Sequence, residues 1–264
     1  MNRSSTHLTF PGSQGAPLAA FLELPAETPA AYAVFAHCFT CSKDSHAAAR
    51  ISKALTAHGI AVLRFDFTGL GQSGGNFAQS TFTSDVEDLV RAADHLRENY
   101  TPPTLLIGHS LGGAAALAAT HRIPEVRAVA TIGAPAGPDH VVRQFAHHTA
   151  EITRRGEADV DLAGRSFPIR QEFIDDLLAQ PQAMRIRTLH AALLVMHSPA
   201  DRTVGVDNAR QIFETARHPK SYVSLPGADH LLNDREDAEY AATVLAAWAS
   251  RYTRTPNSAP HGQA

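Results

Sequence analysis

Six short apolar runs, each followed by a stretch with helical spacing or a turn, decide what this chain can fold into. They are "AYAVFAH", "IAVLRFD", "TLLIGH", "AVATIG", "ALLVMH" and "SYVSL". Runs of this length suit strands buried on both faces, and their alternation with helices predicts an α/β fold: a mainly parallel twisted sheet flanked by helices. Ahead of them, "HLTF" and "LAAFLEL" flank a Gly/Pro turn and predict an antiparallel edge hairpin.

The helices carry their own signals. "SDVEDLVRAADHLREN" opens with a capping box from Ser84 to Glu87 and repeats apolar residues at Val86, Leu89, Val90, Ala93 and Leu96. "DSHAAARISKALTAHG" ends on Gly59, a residue suited to a left-handed cap. "EDAEYAATVLAAWASRYT" places Ala241, Val244, Leu245, Trp248 and Tyr252 on one stripe, as a closing helix would. Between Pro135 and Leu189 the alternation breaks for longer than a simple connection allows. Residues 135–189 are expected to form a small inserted cap, with a hairpin around "VDLAGRSFPIR"; residues 1–134 and 190–252 form the core. The polar, Pro-rich tail 253–264 is expected to be disordered.

Composition removes several function classes. A formal net charge of −3 offers no basic field for nucleic acid and little attraction to an anionic membrane. "MNRSSTHLTF" lacks the apolar core of a signal peptide, and no apolar run approaches a transmembrane span. The expectation is a soluble, cytoplasmic chain with no nucleic-acid or membrane partner. The oligomeric state is left open.

"LLIGHSLGGAAALAA" runs from a strand into a helix, and Gly108-His109-Ser110-Leu111-Gly112 fits the Gly-x-Ser-x-Gly pattern. A serine on so tight a turn sits in strained backbone space, so residues two positions either side must be small. Ser110 is the expected nucleophile. A serine hydroxyl needs a base held by an orienting group, and in this architecture the partners follow as acid, then histidine. Asp201, just beyond the strand ending near His197, is the expected acid. His230, after a strand and a Gly-containing turn, is the expected base. Asp207 and Asp229 are rivals better read as a solvated carboxylate and a turn residue. His147 and His148 are read as exposed, and His109 as packed beside the site without handling the reacting proton.

Both cysteines lie in "AHCFTCSKD", as Cys38-Phe39-Thr40-Cys41. The segment follows a strand, in the loop that usually supplies the second donor of an oxyanion hole. Phe39, two residues after His37, is expected to provide one backbone N–H and Leu111 the other; Cys38 stands where such loops commonly carry glycine. A structural role for the cysteine pair is set against a redox dithiol. Zinc lacks a second pair at suitable spacing, and no metal or other cofactor is expected. "RFDFTGLGQSGG" lacks the Gly-Lys-Ser/Thr ending of a phosphate loop and is read as a tight turn bracing the floor of the site.

Taken together, "HCFTCSKD", "DFTGLGQSGG", "GHSLGG" and the pair "HSPADRTV" with "GADHLL" resemble the α/β-hydrolase superfamily over nearly the whole chain. More narrowly, "HCFTCSKD", "RFDFTGLGQSGG" and "VATIGAPAGPDHV" look like the hydrolase half of bacterial proteins that fuse an α/β-hydrolase to an OsmC-type hydroperoxidase domain. The peroxidase half has no counterpart here, so no peroxide-reducing role is expected. The resemblance implies a capped serine carboxylesterase acting on a small-molecule ester. Capped relatives include cinnamoyl and feruloyl esterases, which brings aryl esters into view. Phe145, Phe167, Phe173 and Ile174 of the cap are the expected apolar substrate-binding residues. A thioesterase or aminopeptidase with the same triad, a non-catalytic binding module, and a redox protein built on Cys38 and Cys41 remain open at this point.

Overall fold

A computed structural model describes residues 4–162 and 164–253. Its main sheet has eight strands in the order β1-β2-β4-β3-β5-β6-β9-β10. These are β1 Ser4–Pro11, β2 Pro17–Leu24, β3 Ala31–Ala36, β4 Ile60–Phe65, β5 Leu105–His109, β6 Ala128–Ile132, β9 Ala192–His197 and β10 Lys220–Ser224. β1, β2 and β4 pair antiparallel, and every other neighbouring pair is parallel. The expected edge hairpin and all six expected strands are present.

Strand side chains alternate between two apolar layers, as the two-residue period of a strand requires. Ala33 and Phe35 of β3, Leu105 and Ile107 of β5, and Leu194 and Met196 of β9 face helices α1 (His46–Thr56) and α8 (Arg235–Thr253). Val34, Leu106, Val129 and Val195 face the other way, toward α2 (Phe82–Asn99), α3 (Leu111–Ala119) and α7 (Asp207–Thr215). The central strands β3, β4, β5, β6 and β9 are thus buried on both faces, which is why they read as nearly unbroken apolar runs.

Three helix details differ from the sequence reading. α2 begins a few residues earlier: Thr81 is its N-cap, and Thr81 and Ser84 each accept the other's backbone N–H. Phe82 is fully buried and extends the apolar stripe upstream to Val86 and Leu89, so packing moves the start. Glu87 instead pairs with Arg91 and Arg122. α1 ends at Thr56, and Gly59 takes its left-handed conformation in the turn that follows. In α8 the buried face is Ala238, Ala241, Ala242, Leu245, Ala246 and Ala249, with Val244, Trp248 and Tyr252 flanking it. Alanines let that helix lie close to the sheet, and the bulky residues fill its margins. Thr253 ends this helix and is buried; the rest of the expected tail lies outside the described residues.

Between β6 and β9 the chain forms a 3-10 segment (Pro138–His148), α4 (Thr149–Arg155), the hairpin β7 (Glu157–Leu162) and β8 (Arg165–Arg170), α5 (Gln171–Ala179) and α6 (Gln182–Arg187). Its apolar residues, Phe145, Val160, Ile169 and Leu177 among them, join the core layer formed by α2 and α3. No helix among the described residues is long and apolar enough to cross a membrane.

Candidate active site

Ser110 stands between β5 and α3 with φ 56° and ψ −127°. That is left-handed space, costly for a residue with a side chain and maintained only where the surroundings enforce it. A Cβ at Gly108 would lie 2.3 Å from the Gly112 carbonyl oxygen, and one at Gly112 would lie 2.3 Å from that of His37. The two glycines therefore let the turn close and let α3 begin against the end of β3.

The three residues expected to act together converge. His230 Nε2 is 3.0 Å from Ser110 Oγ, and His230 Nδ1 is 2.7 Å from Asp201 Oδ2. Each comes from a loop beyond the carboxyl end of a different strand, β5, β9 or β10, where open α/β sheets gather their ligands. Asp201 Oδ1 accepts the N–H groups of Thr203 (2.8 Å) and Val204 (2.9 Å), which fixes the carboxylate. Burial opposes ionisation of Asp201, but the hydrogen bonds from His230, Val204 and Thr203 and the His230 charge outweigh it, so its pKa lies below the ordinary value. The rivals are occupied elsewhere. Asp207 is solvent-exposed near Arg210, and Asp229 accepts from Asn233 N–H and Nδ2.

Two histidines hold this arrangement from behind. His109 Nε2–H donates to the carbonyl of His230 at 2.7 Å, and His197 Nε2–H donates to that of Val204 at 2.7 Å. Burial first, then the nearby His230, holds the pKa of His109 down to about 3. Burial likewise lowers that of His197. Both rings are neutral spacers. The sequence placed His109 next to the site, but its contact with a residue 121 positions away is visible only in three dimensions.

The loop after β3 carries Phe39. Cys41 N–H donates to the Cys38 carbonyl (3.1 Å), Thr40 has φ 56°, and the two sulfurs are joined in a disulfide across this turn. The pair is therefore a staple on the segment bearing Phe39, and not a free dithiol. His37 Nδ1–H donates to the Cys38 carbonyl (2.8 Å), while its Nε2 accepts the Phe67 N–H (3.4 Å). Arg165, at the start of β8, donates to the Thr40 carbonyl. Beneath the turn, fully buried Lys43 reaches Asp66 (3.0 Å), Asp44 (3.2 Å) and Gln72 (2.8 Å). Asp66 also accepts the N–H groups of Lys43 (2.6 Å) and Gln72 (2.9 Å), so "DFTGLGQSGG" is a brace tied to the turn that bears Phe39. The Phe39 and Leu111 N–H groups take no part in the hydrogen bonds among the described residues. Unpaired N–H groups are what an oxyanion hole requires.

The phenylalanines of the segment between β6 and β9 gather at the same place. The Phe39 ring stacks on Phe173 (centroids 5.6 Å, 14°) and leans toward Phe145 (6.5 Å), and Phe77 meets Phe167 edge-on (5.1 Å). Phe145, Phe167, Phe173 and Ile174 are all buried. The cleft beside this turn is walled by Phe39, Phe67, Leu70, Phe77, Leu111 and Ala115, with Phe173, Phe145 and Phe167 packed against its Phe39 and Phe77 rings. Among the described residues no group of three or more His, Cys, Asp or Glu side chains could hold a metal ion.

Comparison with known proteins matches residues 33–243 to the Alpha/beta hydrolase family. The chain belongs to the Alpha/beta hydrolase family. The structure of this hydrolase is similar to that of the esterase domain of a Rhodothermus marinus protein: 51% sequence identity, TM-score 0.78, 95% of this chain and 99% of that one covered. It shares its fold with Est1E of Butyrivibrio proteoclasticus bound to ferulic acid, at 17% identity and TM-score 0.75, over 92% and 98% of the two chains. Among curated proteins, the mitochondrial palmitoyl-protein thioesterase ABHD10 of Rattus norvegicus is 30% identical over 158 residues. That alignment covers 60% of the hydrolase and 50% of the thioesterase, so the match spans about half the length of this relative.

Proposed function

We propose that this hydrolase is a serine carboxylesterase cleaving small acyl or aryl esters through an acyl-enzyme on Ser110. The observation that carries this is His230, held between the Ser110 hydroxyl and the Asp201 carboxylate. In the first step His230 Nε2 takes the Ser110 proton as Oγ attacks the ester carbonyl, and Asp201 stabilises the imidazolium. The N–H groups of Phe39 and Leu111 receive the oxyanion; one such donor is worth roughly 3–4 kcal/mol. His230 then protonates the leaving alcohol, and water attacks the acyl group by the same route in reverse. The cap phenylalanines Phe145, Phe167 and Phe173, with Ile174, shape the acyl pocket from behind Phe39 and Phe77. The cytoplasmic location expected from the sequence belongs to this proposal, as does the small-molecule nature of the substrate.

A thioesterase is the second reading, favoured by the likeness to a palmitoyl-protein thioesterase over half of that protein's length. The same triad would serve it, because only the leaving group changes. The aminopeptidase reading needs an acidic pocket; Glu172 and Asp175 are instead exposed on α5, and Asp176 is bonded to Thr83. Turnover of a p-nitrophenyl ester, an acyl thioester and an aminoacyl anilide should be compared, with fluorophosphonate labelling of Ser110. Labelling and preferred ester turnover, both lost in Ser110→Ala, are expected. Absence of labelling in folded protein would overturn the proposal and favour a binding module.

A further inference from the structure

His37 follows β3 directly and opens the turn that bears Phe39, yet its imidazole has no part in the proposed hydrolysis. The ring is buried and packs edge-on against Phe67, with centroids 4.9 Å apart. Its two nitrogens have different and fixed roles. The Phe67 N–H can only donate, so Nε2 accepts from it at 3.4 Å. The Cys38 carbonyl can only accept, so Nδ1–H donates to it at 2.8 Å. Both contacts demand the same neutral tautomer, and burial keeps the ring from taking a second proton.

The Cys38 carbonyl and the Phe39 N–H are opposite ends of one trans peptide, so fixing the carbonyl aims the N–H. Cys41 N–H also donates to that carbonyl (3.1 Å), and the disulfide joins the same two residues. Both of those ties lie inside the turn and move with it. The imidazole, seated against Phe67 in the loop after β4, connects the peptide to another part of the fold. Such a tie is needed because Thr40, with φ 56°, is strained and keeps that conformation only where its surroundings enforce it. A Cβ at Gly112 would come within 2.3 Å of the His37 carbonyl oxygen, so His37 also abuts the start of α3 beside Leu111. We propose that His37 is a positioning residue whose Nδ1–H holds the Cys38 carbonyl and so directs the Phe39 N–H toward the developing oxyanion. A hydrogen bond received at the carbonyl end also polarises the peptide and strengthens its N–H as a donor. This inference rests on the esterase reading and on Phe39 as one of its oxyanion donors.

Two variants separate the two nitrogens. His37→Asn keeps a donor where Nδ1–H stood and loses the acceptor for Phe67. His37→Gln offers an acceptor toward Phe67 and loses the donor to Cys38. The measurement is kcat and KM for p-nitrophenyl acetate, corrected for the folded fraction read from thermal melts. His37→Gln should lower kcat about tenfold or more and leave KM within about twofold, because an oxyanion donor acts in the transition state. The inhibition constant of phenyl trifluoromethyl ketone, whose adduct with Ser110 carries the same oxyanion, should rise by a similar factor. His37→Asn should recover most of both losses. Nitrogen NMR shifts of the wild-type His37 ring should show the neutral Nδ1–H tautomer, a readout that needs no variant to fold. An Nε2–H tautomer, an unchanged kcat in His37→Gln, or a fall in His37→Asn as deep as in His37→Gln overturns the proposal. The last of these would make His37 a packing residue alone. Failure of the esterase reading itself shows differently: the wild type hydrolyses no ester and Ser110 takes no fluorophosphonate, and the His37 proposal then falls with it.

Discussion

His109 Nε2–H donates to the backbone carbonyl of His230 at 2.7 Å, so the residue before the proposed nucleophile holds the main chain of the proposed base. Removing a buried donor and leaving its acceptor unpaired costs about 1–3 kcal/mol. His109→Ala is expected to lower kcat about tenfold or more, with little change in KM, because His230 loses its seat and the pocket does not. Steady-state kinetics and the rate of fluorophosphonate labelling check this. A variant with wild-type labelling would contradict it.

The same histidine makes stability depend on pH. Its folded pKa of about 3 lies below the unfolded value near 6.5, so below that value the unfolded chain binds a proton that the folded chain refuses. The contribution is complete above about pH 6.5 and is lost at about 1.4 kcal/mol per pH unit as pH falls toward 3. His37, His95, His140 and His197 are shifted the same way by burial and add to the slope. Thermal melts should show Tm falling steadily from roughly pH 6.5 downward, with a shallower fall in His109→Gln. A level Tm between roughly pH 7 and pH 5 would refute the argument.

Lys43 and Asp66 form a fully buried ion pair beneath the turn that bears Phe39. Lys43→Met leaves the Asp66 charge without its cation, and breaking such a pair typically costs about 3–5 kcal/mol. Denaturant unfolding should show a loss of that order, accompanied by reduced kcat as the turn carrying Phe39 loosens. A loss below about 1 kcal/mol would mean that the pair is not holding the loop.

The disulfide closes a very short loop, with Cys38 and Cys41 three positions apart. Chain-entropy arguments give a staple of this span about 2 kcal/mol. Cys38→Ser combined with Cys41→Ser is expected to lower Tm by about 4–8 °C and to keep ester turnover within about threefold of wild type. Treatment with a dithiol reductant should have the same effect. Loss of activity comparable to Ser110→Ala would show instead that catalysis depends on the sulfur bond.

The sheet, its edge hairpin and the three side chains that converge at Ser110 were legible because each leaves a local mark. Buried strands read as apolar runs, and the elbow needs glycines two positions from Ser110. The start of α2 was misplaced because Ser84 and Glu87 have the spacing of a capping box, while burial of Phe82 draws the helix back to Thr81. Residue identity and spacing alone determined the architecture and the candidates Ser110, Asp201 and His230. Only the tertiary structure decided that Asp201 rather than Asp207 or Asp229 faces the imidazole, and that the cysteines are joined across the turn bearing Phe39. The first depends on a contact between residues 29 positions apart, and the free energy of such a contact is set by burial and direction, which no local pattern in the chain encodes.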